Sequence, residues 1–305
     1  MERLVIGAAF VDIKGFPEGT YLPNGRNAGK IEYVHGGVAR NVAEDLANAG
    51  LACMYLGMVD DTPLGEDVCR RLAARGVNVE HVRAVPGGMG TWLAVFDENG
   101  DVAGSISQRP RMAPLAALLR EKGDAIFQNA GIVILEMDLE RGIVEKTLEL
   151  AEKYGGKVCA MVSNMSLAVE KRDLLPRFSF VICNQQEAGL LFGLDCDACT
   201  PDQMEAVLHR QVQKWKIPAM VVTMGEKGAV YAELHGEEGF CPAIAVPVRD
   251  TTGAGDAFCA GVAAGLSCGK SLRQAVNIGT LLASTVIPSR ENVCPRLSPE
   301  ELGLD

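Results

Sequence analysis

Apolar runs of strand length alternate with helical periodicity along most of the chain. Residues 3–8, 52–58, 132–135, 157–161, 178–183 and 219–223 are dense in Val, Ile, Leu, Ala and Met, as strands buried on both faces are. Residues 38–49, 64–75, 140–154, 201–215, 254–267 and 272–284 carry the periodicity of amphipathic helices. In the fifth of these, Phe258, Val262 and Leu266 lie on one face. Strand–helix alternation predicts an α/β fold: a mainly parallel central sheet between two helical layers.

Two regions break that rhythm. Residues 12–35 are rich in Gly, Pro and Asn and lack a helical pattern. Residues 89–109 read as a hairpin, with Thr91 to Phe96 as one strand, a turn at Asp97-Glu98-Asn99-Gly100, and a second strand to Ser107. Asn-Gly is a strong two-residue hairpin signal. Both segments predict a small sheet that projects from the main body and covers a site as a lid. With no repeat, low-complexity stretch or linker, residues 1–305 read as a single domain with that lid.

Composition narrows the function classes. The 305 residues are 48% apolar, enough for one large core. A net charge of −10 disfavours nucleic acid and anionic membranes as partners. It leaves room for a small phosphate ligand, which backbone N–H groups can hold without Lys or Arg. No apolar run reaches the roughly 18–20 residues that a membrane-spanning helix needs. The first residues read as a strand rather than a signal peptide, so a cytoplasmic protein is expected. Ten cysteines are scattered, and Cys53, Cys159, Cys183 and Cys259 sit in apolar context, as reduced buried thiols do. Cys196 and Cys199 form a C-x-x-C without matching ligands nearby, and read as two loop thiols. Histidines 35, 81, 209 and 235 show no metal-ligand spacing.

The chemistry concentrates in Asp250-Thr251-Thr252-Gly253-Ala254-Gly255-Asp256-Ala257-Phe258. A strand-like stretch, residues 243–248, precedes it, and an amphipathic helix follows. Gly253 and Gly255 allow a tight turn, and the N–H groups of Gly253, Ala254, Gly255 and Asp256 would face outward at a helix N-terminus, an anion site. Asp256 on that turn is placed either to cap the helix or to take a proton from an alcohol attacking a phosphoryl group. Gly36-Gly37-Val38-Ala39-Arg40-Asn41 adds a glycine pair through which backbone can approach a polyol, and an amide able to donate to and accept from hydroxyls.

The first of these segments resembles the C-terminal signature of the ribokinase-like (PfkB-type) sugar kinase family, and the second resembles its N-terminal signature. The resemblance covers nearly the whole chain and implies the ribokinase-like three-layer αβα fold. It implies transfer of the γ-phosphate of ATP to a hydroxymethyl group of a sugar or nucleoside. Asp256 would be the base, with Gly253, Ala254 and Gly255 stabilising the transferring phosphoryl group. Asp12 would grip sugar hydroxyls, with Gly36, Gly37 and Asn41 beside it and Lys14 and Thr91 as further acceptor contacts. Asn184 and Glu187 match an N-x-x-E segment that arranges Mg2+ through water, although the same pair also reads as a helix capping box. Thr223, Gly225 and Gly228 resemble a nucleotide segment, and Asn277 belongs to the same cofactor set. Asp250 and Thr252 match the positions near which many relatives hold K+. Relatives often form a homodimer through the lid sheet, which the apolar hairpin permits here.

Three stretches resemble pseudouridine kinases in particular: Val11 to Gly15 with the Gly36-Gly37 segment, Thr91 to Asp101, and Val293-Cys294-Pro295-Arg296-Leu297-Ser298. Pseudouridine is therefore the expected acceptor, with ribokinase, fructokinase or another nucleoside kinase as the alternative. The chain departs from that pattern twice. Glu136-Met137-Asp138 stands where Asp-x-Asn is expected, and Ser107-Gln108-Arg109 replaces an acidic residue. Gly265 to Ser271 imitates a P-loop but is one residue short and follows a helix, so Gly269 reads as a helix C-cap. A silent ligand sensor on the same fold would have lost Asp256 or the anion turn, and both are present. An NAD-dependent oxidoreductase lacks its glycine fingerprint at Gly7 to Asp12.

Overall fold

The computed structural model describes residues 2–162 and 169–304. Strand β1 (Glu2–Ile6) opens the main sheet, and β2 (Phe10–Pro17) and β3 (Gly29–Gly36) leave it before helix α1 (Val38–Asn48) returns. There follow β4 (Cys53–Leu56), β5 (Met58–Val59), α2 (Pro63–Arg75) and β6 (Arg83–Ala84), then β7 (Gly90–Phe96) and β8 (Val102–Gln108). The chain continues through α3 (Ala113–Phe127), β9 (Ala130–Glu136), α4 (Arg141–Tyr154), β10 (Lys157–Met161), β11 (Phe180–Asn184), α5 (Gln185–Phe192) and α6 (Pro201–Trp215). It ends with β12 (Ala219–Thr223), β13 (Gly228–Glu233), β14 (Glu238–Pro242), α7 (Ala254–Ser267) and α8 (Leu272–Val286).

Among the described residues the main sheet has eight strands in the order β14-β13-β12-β11-β10-β9-β1-β4. Its members from β4 to β12 run parallel, and β13 and β14 add an antiparallel edge. Alternation along each strand splits the core in two. Leu4, Ile6, Val133 and Leu135 pack with α3, α4, α5 and α6 on one face. Val5, Ile132, Ile134 and Val221 pack with α1, α2, α7 and α8 on the other. This is the expected αβα arrangement, and it exists because both sheet faces are apolar.

The lid is a second sheet, ordered β3-β2-β7-β8. It begins at Phe10, two residues earlier than the sequence pattern placed it. Its Asn-Gly turn also differs from a two-residue hairpin. Residues 97–101 make the connection, Asp97 Oδ1 accepts from the N–H groups of Asn99 and Asp101, and the register shifts between Val95 and Phe96. Asp97 is a short local acceptor that outcompetes the tighter turn.

Several elements differ from the sequence pattern. Residues 52–58 split at Gly57 into β4 and β5. Helix α3 and strands β13 and β14 were not evident in it. Residues 243–248, expected as a strand, are irregular, with Ile244 and Val248 exposed. Gly269 does close α7, as Lys270 N–H donates back to Gly265 O over 3.0 Å. All ten cysteines are free thiols, and Cys53, Cys159, Cys183 and Cys259 are buried. No helix among the described residues is long and apolar enough to cross a membrane.

Candidate active site

The turn before α7 is shaped by Gly253. Its φ of 83° is the left-handed region, and a Cβ there would lie 1.9 Å from Asn292 O. No side chain caps α7; Ala254 N–H turns back to Thr251 O over 3.2 Å, which leaves the N–H groups of the next residues, Gly255 and Asp256, for a ligand. Thr251, Ala254 and Gly255 line a cavity of about 780 Å3 that also touches Asn184, Thr223, Gly225 and Gly228. Ile244, Ala245, Val246 and Val248 form its apolar wall. The irregular 243–248 stretch is therefore apolar because it lines a cavity, not because it joins a sheet. Asn277 does not line this cavity; its Oδ1 accepts from Cys241 Sγ over 3.0 Å.

Asp256 lies in the first turn of α7 and does not line that cavity. Asn41 Nδ2, from the first turn of α1, donates to Asp256 Oδ2 over 2.7 Å. Loss of water around the carboxyl raises it to about 6, against the lowering effects of the Asn41 hydrogen bond and the Arg40 charge. A carboxylate in that range is ionised at neutral pH and still basic enough to accept a proton.

Gly37 starts α1 at a φ of 97°, and a Cβ there would lie 2.5 Å from Ala8 O, so the chain folds tightly onto the end of β1. A Cβ at Gly36 would meet Asp12 Oδ2 at 3.3 Å, which places Asp12 over the glycine pair. Burial raises the Asp12 carboxyl, and the Lys14 and Arg40 charges offset part of that. Lys14 also helps hold Asp250 below the usual carboxylate range, together with the Thr252 N–H, against the opposing effect of burial. Gly36, Gly37, Asn41, Asp12, Lys14, Asp250 and Asp256 thus converge at the ends of β1 and the lid. Thr91 does not join them. It pairs with Val11, whereas Trp92 pairs with Asp12 and shares its face of the lid. Four residues further along that face Phe16 stacks on Phe96 at 4.7 Å, with Trp92 edge-on to Phe96 at 6.4 Å. The sequence pattern missed this aromatic face; the period-2 alternation of residues 12–16 and 92–96 was the available signal.

A second cavity, about 520 Å3, lies between the lid root and the ends of β9 and α4. Phe10, Arg109, Glu136, Asp138 and Lys171 are among its lining residues. Both departures noted above, at Arg109 and at Glu136 to Asp138, therefore fall on one cavity. Glu136 is buried, and its Oε2 accepts from Ala8 N–H over 2.8 Å. Glu187 lines neither cavity, but its partner Asn184 lines the larger one. It forms the capping box with Asn184, with bonds of 2.8 and 2.7 Å. Burial raises its carboxyl to about 7, the Asn184 N–H opposes this, and the charges of Asp138 and Asp256 raise it further. Glu187 thus feels the charge of two further carboxylates, Asp138 and Asp256, which a hard cation would offset. Among the described residues no group of three such side chains is placed to hold a metal directly, so a cation there would be held through water.

The family model described as pfkB family carbohydrate kinase matches residues 2–293. A guanosine-inosine kinase from Exiguobacterium acetylicum is 33% identical over 292 residues, covering 94% of this chain and 95% of the relative. A pseudouridine kinase from Escherichia coli is 27% identical, covering 92% and 90%. The structure of Arabidopsis thaliana ribokinase with ribose and ATP superposes with a TM-score of 0.84 at 22% identity, over 99% of this chain and 98% of that one.

Proposed function

This chain belongs to the pfkB family of carbohydrate kinases, a phosphotransferase family acting on sugar or nucleoside hydroxyls, and we propose that it transfers the γ-phosphate of ATP to the 5′-hydroxymethyl of a ribonucleoside, with a 6-oxopurine nucleoside preferred. The observation that carries a nucleoside over a free sugar is the aromatic Trp92, which pairs with Asp12 on one face of the lid and packs edge-on against Phe96. Asp12 and the Gly36-Gly37 backbone suit the ribose, and the aromatic face offers the base a surface to stack on. The mixed lining of the smaller cavity, with Arg109 and Lys171 as donors and Glu136 and Asp138 as acceptors, suits a base edge that presents both. Arg109 is apt for the adjacent O6 and N7 acceptors of a 6-oxopurine. The guanosine-inosine kinase relative, at 33% identity, points the same way.

The chain's own residues divide the reaction between them. Ala254 and Gly255 line the cavity where ATP phosphates would lie, and the Gly255 N–H at the start of α7 would stabilise charge on the transferring oxygens. The Ile244 to Val248 wall covers the nucleotide, with Thr223, Gly225 and Gly228 opposite. Asp256 takes the proton from the attacking hydroxyl, a role worth about 10²–10⁴-fold in rate. Closure of the lid keeps water from the phosphoryl group. Mg2+, when bound, would neutralise the phosphates through water held by Glu187. Asp250, with Thr252 on the same turn, keeps a negative charge suited to K+.

Pseudouridine is the second reading, favoured by the 27% relative and by the lid and tail segments that resemble pseudouridine kinases. A coupled ADP-release assay with Mg2+, with and without K+, decides the matter. Its acceptors are inosine, guanosine, pseudouridine, uridine, adenosine, ribose and fructose. Highest kcat/KM for inosine or guanosine supports the first reading. Preference for pseudouridine selects the second, and preference for a free sugar removes both.

A further inference from the structure

Arg40 lies beside the candidate base but has no part in the roles assigned so far. Its side chain has no exposed surface and makes three bonds. Nη2 donates to Glu44 Oε2 at 2.5 Å. Nη1 donates to His35 O at 3.2 Å and to Asn41 Oδ1 at 2.5 Å. The other end of the Asn41 amide, Nδ2, donates to Asp256 Oδ2. We propose that Arg40 is a positioning residue for phosphoryl transfer, fixing the Asn41 amide so that it presents its N–H to Asp256.

A guanidinium has only donors and an ionised carboxylate only acceptors. An amide wedged between them has one workable orientation, oxygen toward Arg40 and nitrogen toward Asp256. Without Arg40 that orientation is no longer imposed, and a turned amide would set its oxygen against the carboxylate. The bond from Asn41 restrains the Asp256 carboxyl group, leaving Oδ1 for the incoming hydroxyl. Arg40 itself is held firmly. Glu44 has no exposed surface and accepts from Arg71 Nε over 3.0 Å at both oxygens, with Arg75 Nε 3.5 Å away. The bond to His35 O ties the same guanidinium to the strand that delivers Gly36 and Gly37. One side chain thereby registers the acceptor turn against the base. A buried ion pair is weak as a source of stability, since apolar replacements of similar volume often do as well. The forked contact to Asn41 is a reason for an arginine here that stability alone does not supply.

The inference rests on the reading of Asp256 as the base, and the experiment separates the two. Turnover with ATP and the best acceptor of the panel is measured for Arg40→Lys, Asn41→Ala, their double variant and Asp256→Asn. Lysine keeps the charge opposite Glu44 but cannot fork to Asn41 with the same geometry. The expected result is a fall in kcat of about 10- to 100-fold for Arg40→Lys, with the KM for ATP and the Tm close to those of the parent. The double variant should be no slower than Asn41→Ala alone, because Arg40 acts through Asn41. If the two losses multiply, or if the KM for ATP rises as kcat falls, Arg40 does not position the amide. If Asp256→Asn turns over like the parent, the base reading falls and the relay with it. Should Arg40→Lys not fold, Arg40→Met with Glu44→Gln removes the pair as a neutral unit, and the same cycle with Asn41→Ala is read.

Discussion

Asn41 Nδ2 and Asp256 Oδ2 lie 2.7 Å apart, joining the first turns of α1 and α7 across 215 positions of sequence. The two signature segments of the chain meet through this bond. An amide from the first segment and a carboxylate from the second thus form one unit at the ends of the parallel strands, where α/β sheets commonly bind ligands.

Asp256→Asn tests that unit most directly. The amide is isosteric but cannot accept the hydroxyl proton. We expect kcat to fall at least about 10²-fold while ATP affinity and Tm stay near those of the parent. Turnover within a factor of a few of the parent would mean that Asp256 only caps the helix.

The pH profile follows from the same carboxyl, raised to about 6 in the folded chain. A base acts only when deprotonated. We expect kcat/KM to be level above about pH 7 and to fall tenfold per unit well below 6. An acid limb near 4, the ordinary aspartate range, would show that burial does not set the base.

Asp12→Ala should separate acceptor from nucleotide. Asp12 lies over Gly36 on the lid and lines neither wall of the larger cavity. Loss of a carboxylate paired to sugar hydroxyls should raise the acceptor KM by about 10²-fold or more, with the ATP KM almost unchanged. Equal loss for both substrates would assign Asp12 a structural role.

Much of this was legible in the sequence, for physical reasons. The parallel strands are buried on both faces, so their apolar runs stand out, and Gly253 and Gly37 occupy backbone positions that demand glycine. What was hidden depends on tertiary placement. Residues 243–248 read as a strand because a continuous apolar run that lines a cavity looks like a buried strand in sequence. Helix α3 was masked by Pro114 and Gly123 and by the charged run Arg120-Glu121-Lys122 in its middle. Thr91 and Trp92 differ only in which face of β7 they occupy, and only the register with Asp12 decides it. No local pattern announces that Arg40 touches the amide next to it in sequence.

Asp45 offers a stability prediction away from the chemistry. It is fully buried in α1, its Oδ1 accepts from Cys294 N–H at 2.6 Å, and its Oδ2 has no hydrogen-bond partner. Burial raises its carboxyl to about 8 from an ordinary 3.8. The folded value lies above the unfolded one, so the folded chain holds this proton more tightly. Its contribution to stability is present below the unfolded value and is lost as pH rises through that window, by up to about 1.4 kcal/mol per unit. Asp45→Asn keeps the acceptor for Cys294 and removes the titration. We expect it to raise Tm at pH 7.5 and to match the parent near pH 4. A lower Tm at pH 7.5 would show that the charge is compensated in the fold.

The two glycines of the anion turn make opposite predictions under the same substitution. At Gly253, φ is 83° and a Cβ would sit 1.9 Å from Asn292 O, a backbone atom with little freedom because Asn292 Nδ2 also donates to His35 O at 2.7 Å. Gly253→Ala must therefore strain the turn or push the tail away, and should lower stability by about 1–3 kcal/mol together with activity. At Gly255 a Cβ meets nothing within 4 Å, and the residue lies inside α7, where alanine is favoured over glycine by about 1 kcal/mol. Gly255→Ala should leave Tm equal or higher. Gly255 lines the larger cavity, however, so its methyl group would stand where the proposed phosphates would approach the backbone. The ATP KM should rise, by about tenfold or more, without loss of fold. Thermal melts and nucleotide titrations of the pair separate strain from occlusion. A stable Gly255→Ala that binds ATP as well as the parent would move the phosphates away from this turn.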